Sequence, residues 1–170
     1  VDDLVQGLGL VLPKQQRKRP YVAPMVPHTQ QAKRLAEALA MTPAAEYAAW
    51  IRGLGAIKAA VTLGVLSDDD GQAMFAAWSE AAGPQATAQN DDTRFDPSAM
   101  WVRWSPSTAP ADALLGALYA AARDAALDVV RDQITTDGAL DGKGLNAARY
   151  VSRHHARAFK ALRTELGNSQ

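Results

Sequence analysis

Asp68 and Asp70 are spaced like a two-carboxylate metal site. They stand behind Ser67 and before an apolar stretch, which suits them better to the first turn of a helix. There Ser67 would cap the free N–H groups and the acids would face the positive helix end. The run Gly138-Ala139-Leu140-Asp141-Gly142-Lys143-Gly144 has the look of a phosphate loop. Walker A needs four residues between its glycines and Ser or Thr after the lysine, whereas here three intervene and Gly144 follows. A turn joining two helices is the expected role. His154 and His155 are adjacent, so on a helix they diverge by roughly 100° and cannot share one ion. His28 is isolated, and no serine sits in a Gly-x-Ser-x-Gly elbow. Neither a catalytic nor a metal centre is expected within this chain.

The cations carry a stronger pattern. Arg149, Arg153, Arg157, Lys160 and Arg163 follow one another in steps of four, four, three and three. On one helix they form a ridge, and cations repeating once per turn can track a phosphate backbone. A solvated helix face gives the same pattern, so both readings stay open. Lys14, Arg17, Lys18 and Arg19 form a second cluster, either a phosphate-binding arm or a solubilising linker. Net charge is zero, yet acids concentrate in residues 68–96 and are absent from residues 14–34 and 143–163. A polyanion would meet basic ends and an acidic middle.

These residues need helices to position them. Hydrophobic residues make up 48% of the 170-residue chain, with only 6% aromatic. Alanine supplies much of that fraction, and it favours helix because it loses no side-chain entropy there. Alternating Val and Ile are lacking, so the expected fold class is all-α, a single bundle of about five to six helices. Residues 1–28 read as a Pro-rich basic arm or linker, since Pro13, Pro20, Pro24 and Pro27 block long helices. Residues 29–170 form the bundle. Helices are expected from about Thr29 to Met41, from the cap Thr42-Pro43, from Ser67, from the cap Asp96-Pro97 and from Pro110. A final helix runs from about Leu145 to Leu166, while residues 83–92 read as a surface loop.

Four tryptophans, Trp50, Trp78, Trp101 and Trp104, fall beside other apolar residues at helical spacing. That makes them core residues first, with base stacking as the alternative for an exposed ring. Their order is Tyr47-x-x-Trp50-Ile51, Phe75-x-x-Trp78-Ser79, Trp101-x-x-Trp104, then Leu114-Leu115-x-x-Leu118-Tyr119-x-x-Ala122. This order resembles the type-2 primase C-terminal domain, the helix bundle behind the catalytic domain of phage and plasmid primase-polymerases. The similarity spans about residues 35–123. One departure is Val102, where the family usually has a basic residue; Arg103 follows it.

The resemblance implies a non-catalytic module that holds single-stranded template DNA and assists primer initiation. Its partners would be a primase catalytic domain and, in many relatives, a helicase. ATP or a dNTP is the implied ligand, with Mg2+ belonging to the full-length enzyme and no cofactor in this chain. Arg52, Lys58 and Arg103 are the cations of that core that could reach a template or a triphosphate. Two other readings remain: a helix-turn-helix replication initiator or regulator, and a helical interaction or phage structural protein without nucleic-acid binding.

The chain has no cysteine, which excludes disulfides and thiolate zinc sites. No apolar run approaches the roughly 20 residues of a membrane span, and Val1-Asp2-Asp3 lacks the basic start of a signal peptide. A cytoplasmic piece of a longer chain is the expectation.

Overall fold

Runs of alanine and leucine broken by single glycines, caps and prolines set the helix limits. The computed structural model describes residues 27–42, 44–81, 96–105 and 109–167. Among them are seven helices and no strand: α1 His28–Met41, α2 Tyr47–Thr62, α3 Asp68–Ala81, α4 Pro97–Arg103, α5 Ala111–Asp137, α6 Gly142–His154 and α7 Ala156–Gly167. The all-α expectation holds. The cations Lys14, Arg17, Lys18 and Arg19, and the expected loop at residues 83–92, lie outside the described residues.

Two caps fall where expected. Ser67 Oγ accepts the Asp70 amide at 3.1 Å, and Asp96 Oδ1 accepts the Ser98 and Ala99 amides at 2.9 and 3.1 Å. Thr42 behaves differently. Its backbone N–H donates to Leu39 O and its hydroxyl donates to Ala38 O, so it closes α1 instead of opening α2. Consequently α2 begins at Tyr47, with Glu46 at its N-cap.

The long helix α5 is the axis of the molecule, touching α1, α2, α6 and α7. Leu118, Ala122, Ala126 and Val130 form its buried stripe, at the four-residue spacing that keeps side chains on one face. Leu54, Ile57, Ala60, Leu35 and Val151 join the same core. Phe75 lies at the centre of the aromatic part. Its ring centroid is 5.1 Å from that of Trp50, 6.4 Å from Trp78 and 6.2 Å from Trp101.

The indole nitrogens of Trp50 and Trp78 are satisfied within the fold, as burial of an indole requires. Trp50 Nε1 donates to Ser79 Oγ at 2.8 Å. Trp78 Nε1 donates to Leu39 O and Thr42 O at 2.9 and 3.1 Å, tying α3 to the end of α1. Two glycines serve as sockets: a Cβ on Gly53 would overlap the six-membered ring of Trp78, and one on Gly71 would come within 2.8 Å of Trp101. The motif residues Trp50, Phe75, Trp78 and Trp101 thus all serve packing.

Candidate nucleic-acid interface

The basic helices at the C-terminal end are set on α5 by the glycine-rich turn. Gly138 ends α5 in the left-handed region, with φ 70°. Gln133 of α5 then grips Asp141: its amide donates to the Asp141 carboxylate at 2.7 Å and its carbonyl accepts the Asp141 N–H. Gly144 is buried against Gln133, and any Cβ there would collide with the amide. These glycines therefore pack a helix junction, and α6 starts three residues before the expected Leu145. Ala147, Ala148, Tyr150 and Val151 turn inward, leaving Arg149, Ser152 and Arg153 exposed.

The expected single helix is interrupted at His155, whose φ of −139° and ψ of 46° are not helical. No proline or glycine stands there. The ring of His155 lies 5.6 Å from that of Tyr150, drawn into the bundle. Beyond it, α7 buries Leu162 and half-buries Phe159 and Leu166. Arg131 on α5 donates to Glu165 at 3.3 Å and so ties α7 to the axis. The five cations accordingly sit on two helices, Arg149 and Arg153 on α6 and Arg157, Lys160 and Arg163 on α7.

Arg153 differs from the other four. Its Nη1 donates to Glu37 Oε1 of α1, while His154 Nε2 pairs with Glu37 Oε2, each at 2.5 Å. Burial alone would raise the Glu37 carboxyl. The His154 hydrogen bond and the charges of Arg153 and Lys33 outweigh it, so the pKa falls below its ordinary value. Arg149, Arg157, Lys160 and Arg163 are exposed and have no ion pair among the described residues. Ser152, Ala156, Phe159, Lys160, Arg163 and Thr164 line a groove of about 560 Å³ along the α6–α7 junction.

Arg34 of α1, Tyr119 of α5, and Tyr150 and His155 at the end of α6 form a partly buried polar group. Arg34 stacks over Tyr119, its guanidinium carbon 4.3 Å from the ring centre. Burial pushes the Tyr150 hydroxyl up to about 12, keeping it protonated at neutral pH. Burial, then the charges of Arg34, Arg123 and His154, lowers the pKa of His155, which favours the neutral ring. Arg34 Nε, Tyr150 Oη and His155 Nε2 have no hydrogen-bond partner among the described residues.

The remaining candidates are dispersed. Lys58 is turned inward, with Nζ 3.7 Å from the Trp101 ring centre and 3.8 Å from Asp68. Arg52 and Arg103 are exposed on α2 and at the end of α4. Asp68 also accepts from Trp101 Nε1 at 3.3 Å, and Asp70 is bonded to Ser67. The two carboxylates therefore face different partners. Among the described residues no three His, Asp or Glu side chains gather as metal ligands, and no helix is long and apolar enough to cross a membrane. His28 opens α1 and bonds Gly64 O at 2.8 Å.

Glu37 escaped the sequence reading. It stands four residues after Lys33 and three after Arg34, which suggests a local helical pair. Its partners instead lie 116 and 117 residues away, a distance no local pattern reports.

Fold and site together define an all-α bundle with exposed cations on its two C-terminal helices. No protein-family model matches the chain, and no curated protein or solved structure was found to be similar to it.

Proposed function

We propose that this chain is a non-catalytic helix-bundle module of a phage or plasmid primase, binding single-stranded template DNA while nucleotide chemistry proceeds in a separate catalytic domain. The observation that carries the reading is the set Arg149, Arg157, Lys160 and Arg163, exposed on consecutive helices without an acidic partner among the described residues. Such cations exchange condensed counterions for phosphates, and the gain is independent of sequence. The resemblance in the order of the aromatic motifs lends support, because Trp50, Phe75, Trp78, Trp101, Leu118 and Ala122 of that pattern pack into one core here. For an initiating ATP or dNTP, Arg52 and Arg103 are the exposed cations of that core; Lys58 is occupied by Trp101 and Asp68.

Fluorescence anisotropy with single-stranded and duplex oligonucleotides, with and without ATP, tests this. Four phosphate contacts predict a slope of log affinity against log salt of about −3 for single strands. Replacing Arg157 and Lys160 by Gln should flatten it by about 1.4, with all sequences weakened alike. An unchanged slope in the folded double variant would make this face plain solvated surface. Preference for one duplex sequence would favour an initiator or regulator, and absence of binding to any oligonucleotide an interaction or structural protein.

A further inference from the structure

We infer that the groove across the α6–α7 junction is a base-stacking subsite, in which one unpaired nucleobase lies on Phe159 while Lys160 and Arg163 hold the flanking phosphates. This rests on the nucleic-acid reading above and adds what that reading lacks, a physical reason for single strands to be preferred. The groove lies outside residues 35–123, so the resemblance to primase bundles implies nothing about it.

Three features of the groove carry the inference. Among the described residues its lining includes an aromatic ring and two cations but no acid. The two cations are free of ion pairs among the described residues, and Thr164 turns its hydroxyl away, donating to Lys160 O at 3.1 Å. Phe159 is half-buried, so its ring is anchored by the core yet still reaches the groove. The size also fits, since about 560 Å³ falls within the roughly 300–1,000 Å³ of small-ligand sites.

Ser152 of α6 and five residues of α7 line this one concavity on either side of the break at His155. Every base offers a π-face, so stacking on an aromatic tolerates any sequence but requires the base to be unpaired. A duplex presents phosphates to Lys160 and Arg163 but no free base to Phe159. An acidic peptide would use the two cations and leave the ring idle, which is why a nucleic acid is the better occupant.

The test uses the 170-residue chain, an oligothymidylate and an abasic oligomer of equal length and charge. Wild type should bind the thymidylate about tenfold more tightly, the scale of one base–aromatic stack. Phe159→Leu should remove that difference while leaving the abasic strand unaffected, and Phe159→Trp should restore it. Circular dichroism confirms that the variants are folded. Equal affinity of wild type for both strands would overturn the stacking subsite while leaving phosphate binding intact. Failure to bind either strand would instead overturn the nucleic-acid reading itself. Competition by polyglutamate as effective as that by thymidylate would also overturn the inference, marking the groove as a site for acidic protein.

Discussion

Glu37 sets Arg153 apart from the other four cations of the C-terminal helices. Its carboxylate takes Arg153 and His154 together and joins α1 to the end of α6. Arg153 is 56% exposed, so the pair is partly screened and contributes at most about 1 kcal/mol to stability. Under the proposed DNA-binding role its larger effect is on binding, because a phosphate would have to displace Glu37 to use Arg153. Glu37→Gln should therefore release one more phosphate contact and steepen the single-strand salt slope by about 0.7, at little cost in melting temperature. A slope identical to that of wild type would show that Arg153 does not face the DNA. The basic spacing was readable in the residues, whereas the competing acid was not, because it approaches from the far end of the chain.

At the scale of helices, glycine has opposite meanings in α2 and α5. Both Gly53 and Gly116 lie within helices, where exchange for Ala ordinarily stabilises by roughly 1 kcal/mol. At Gly116 a Cβ meets nothing within 4 Å, so Gly116→Ala should give that gain. At Gly53 the Cβ would overlap Trp78, which is itself held by two hydrogen bonds to α1. Gly53→Ala should destabilise by about 1–3 kcal/mol, as overpacking does. Urea unfolding of the two variants measures both signs, and a stabilised Gly53→Ala would mean that Trp78 can leave its socket. The sequence marks α2 as glycine-rich, but which glycine receives a ring depends on where α3 crosses it.

For the whole molecule, two titrating groups act in the same direction as the medium is acidified. The lowered pKa of His155 means that the unfolded chain binds its proton more readily. Stability is therefore lost as pH falls through the ordinary histidine value of about 6.5. Glu37 has a lowered pKa too, and its contribution is present above the ordinary value of about 4.3 and lost as pH falls through its folded value. Thermal melts should show two descending legs. His155→Gln should flatten the upper leg and Glu37→Gln the lower. A melting temperature constant between pH 7 and pH 5 would show that His155 is not held as described.

Composition and periodicity by themselves determined the all-α class, the Ser67 and Asp96 caps, the long alanine- and leucine-rich helix and the inward placing of Trp50 and Trp78. These follow from local physics: helix propensity, capping chemistry and a 3.6-residue period are properties of short windows of chain. Only the tertiary structure decided that Thr42 bonds backward, that the last helix divides at His155, and that Arg153 is already paired. Each of these residues also meets a group distant in sequence. Trp78 is bonded to Thr42 O, His155 sits against Tyr150 and the charges of α1 and α5, and Arg153 meets Glu37 across the bundle. Long-range contacts of this kind are set by how helices cross, which no local periodicity encodes.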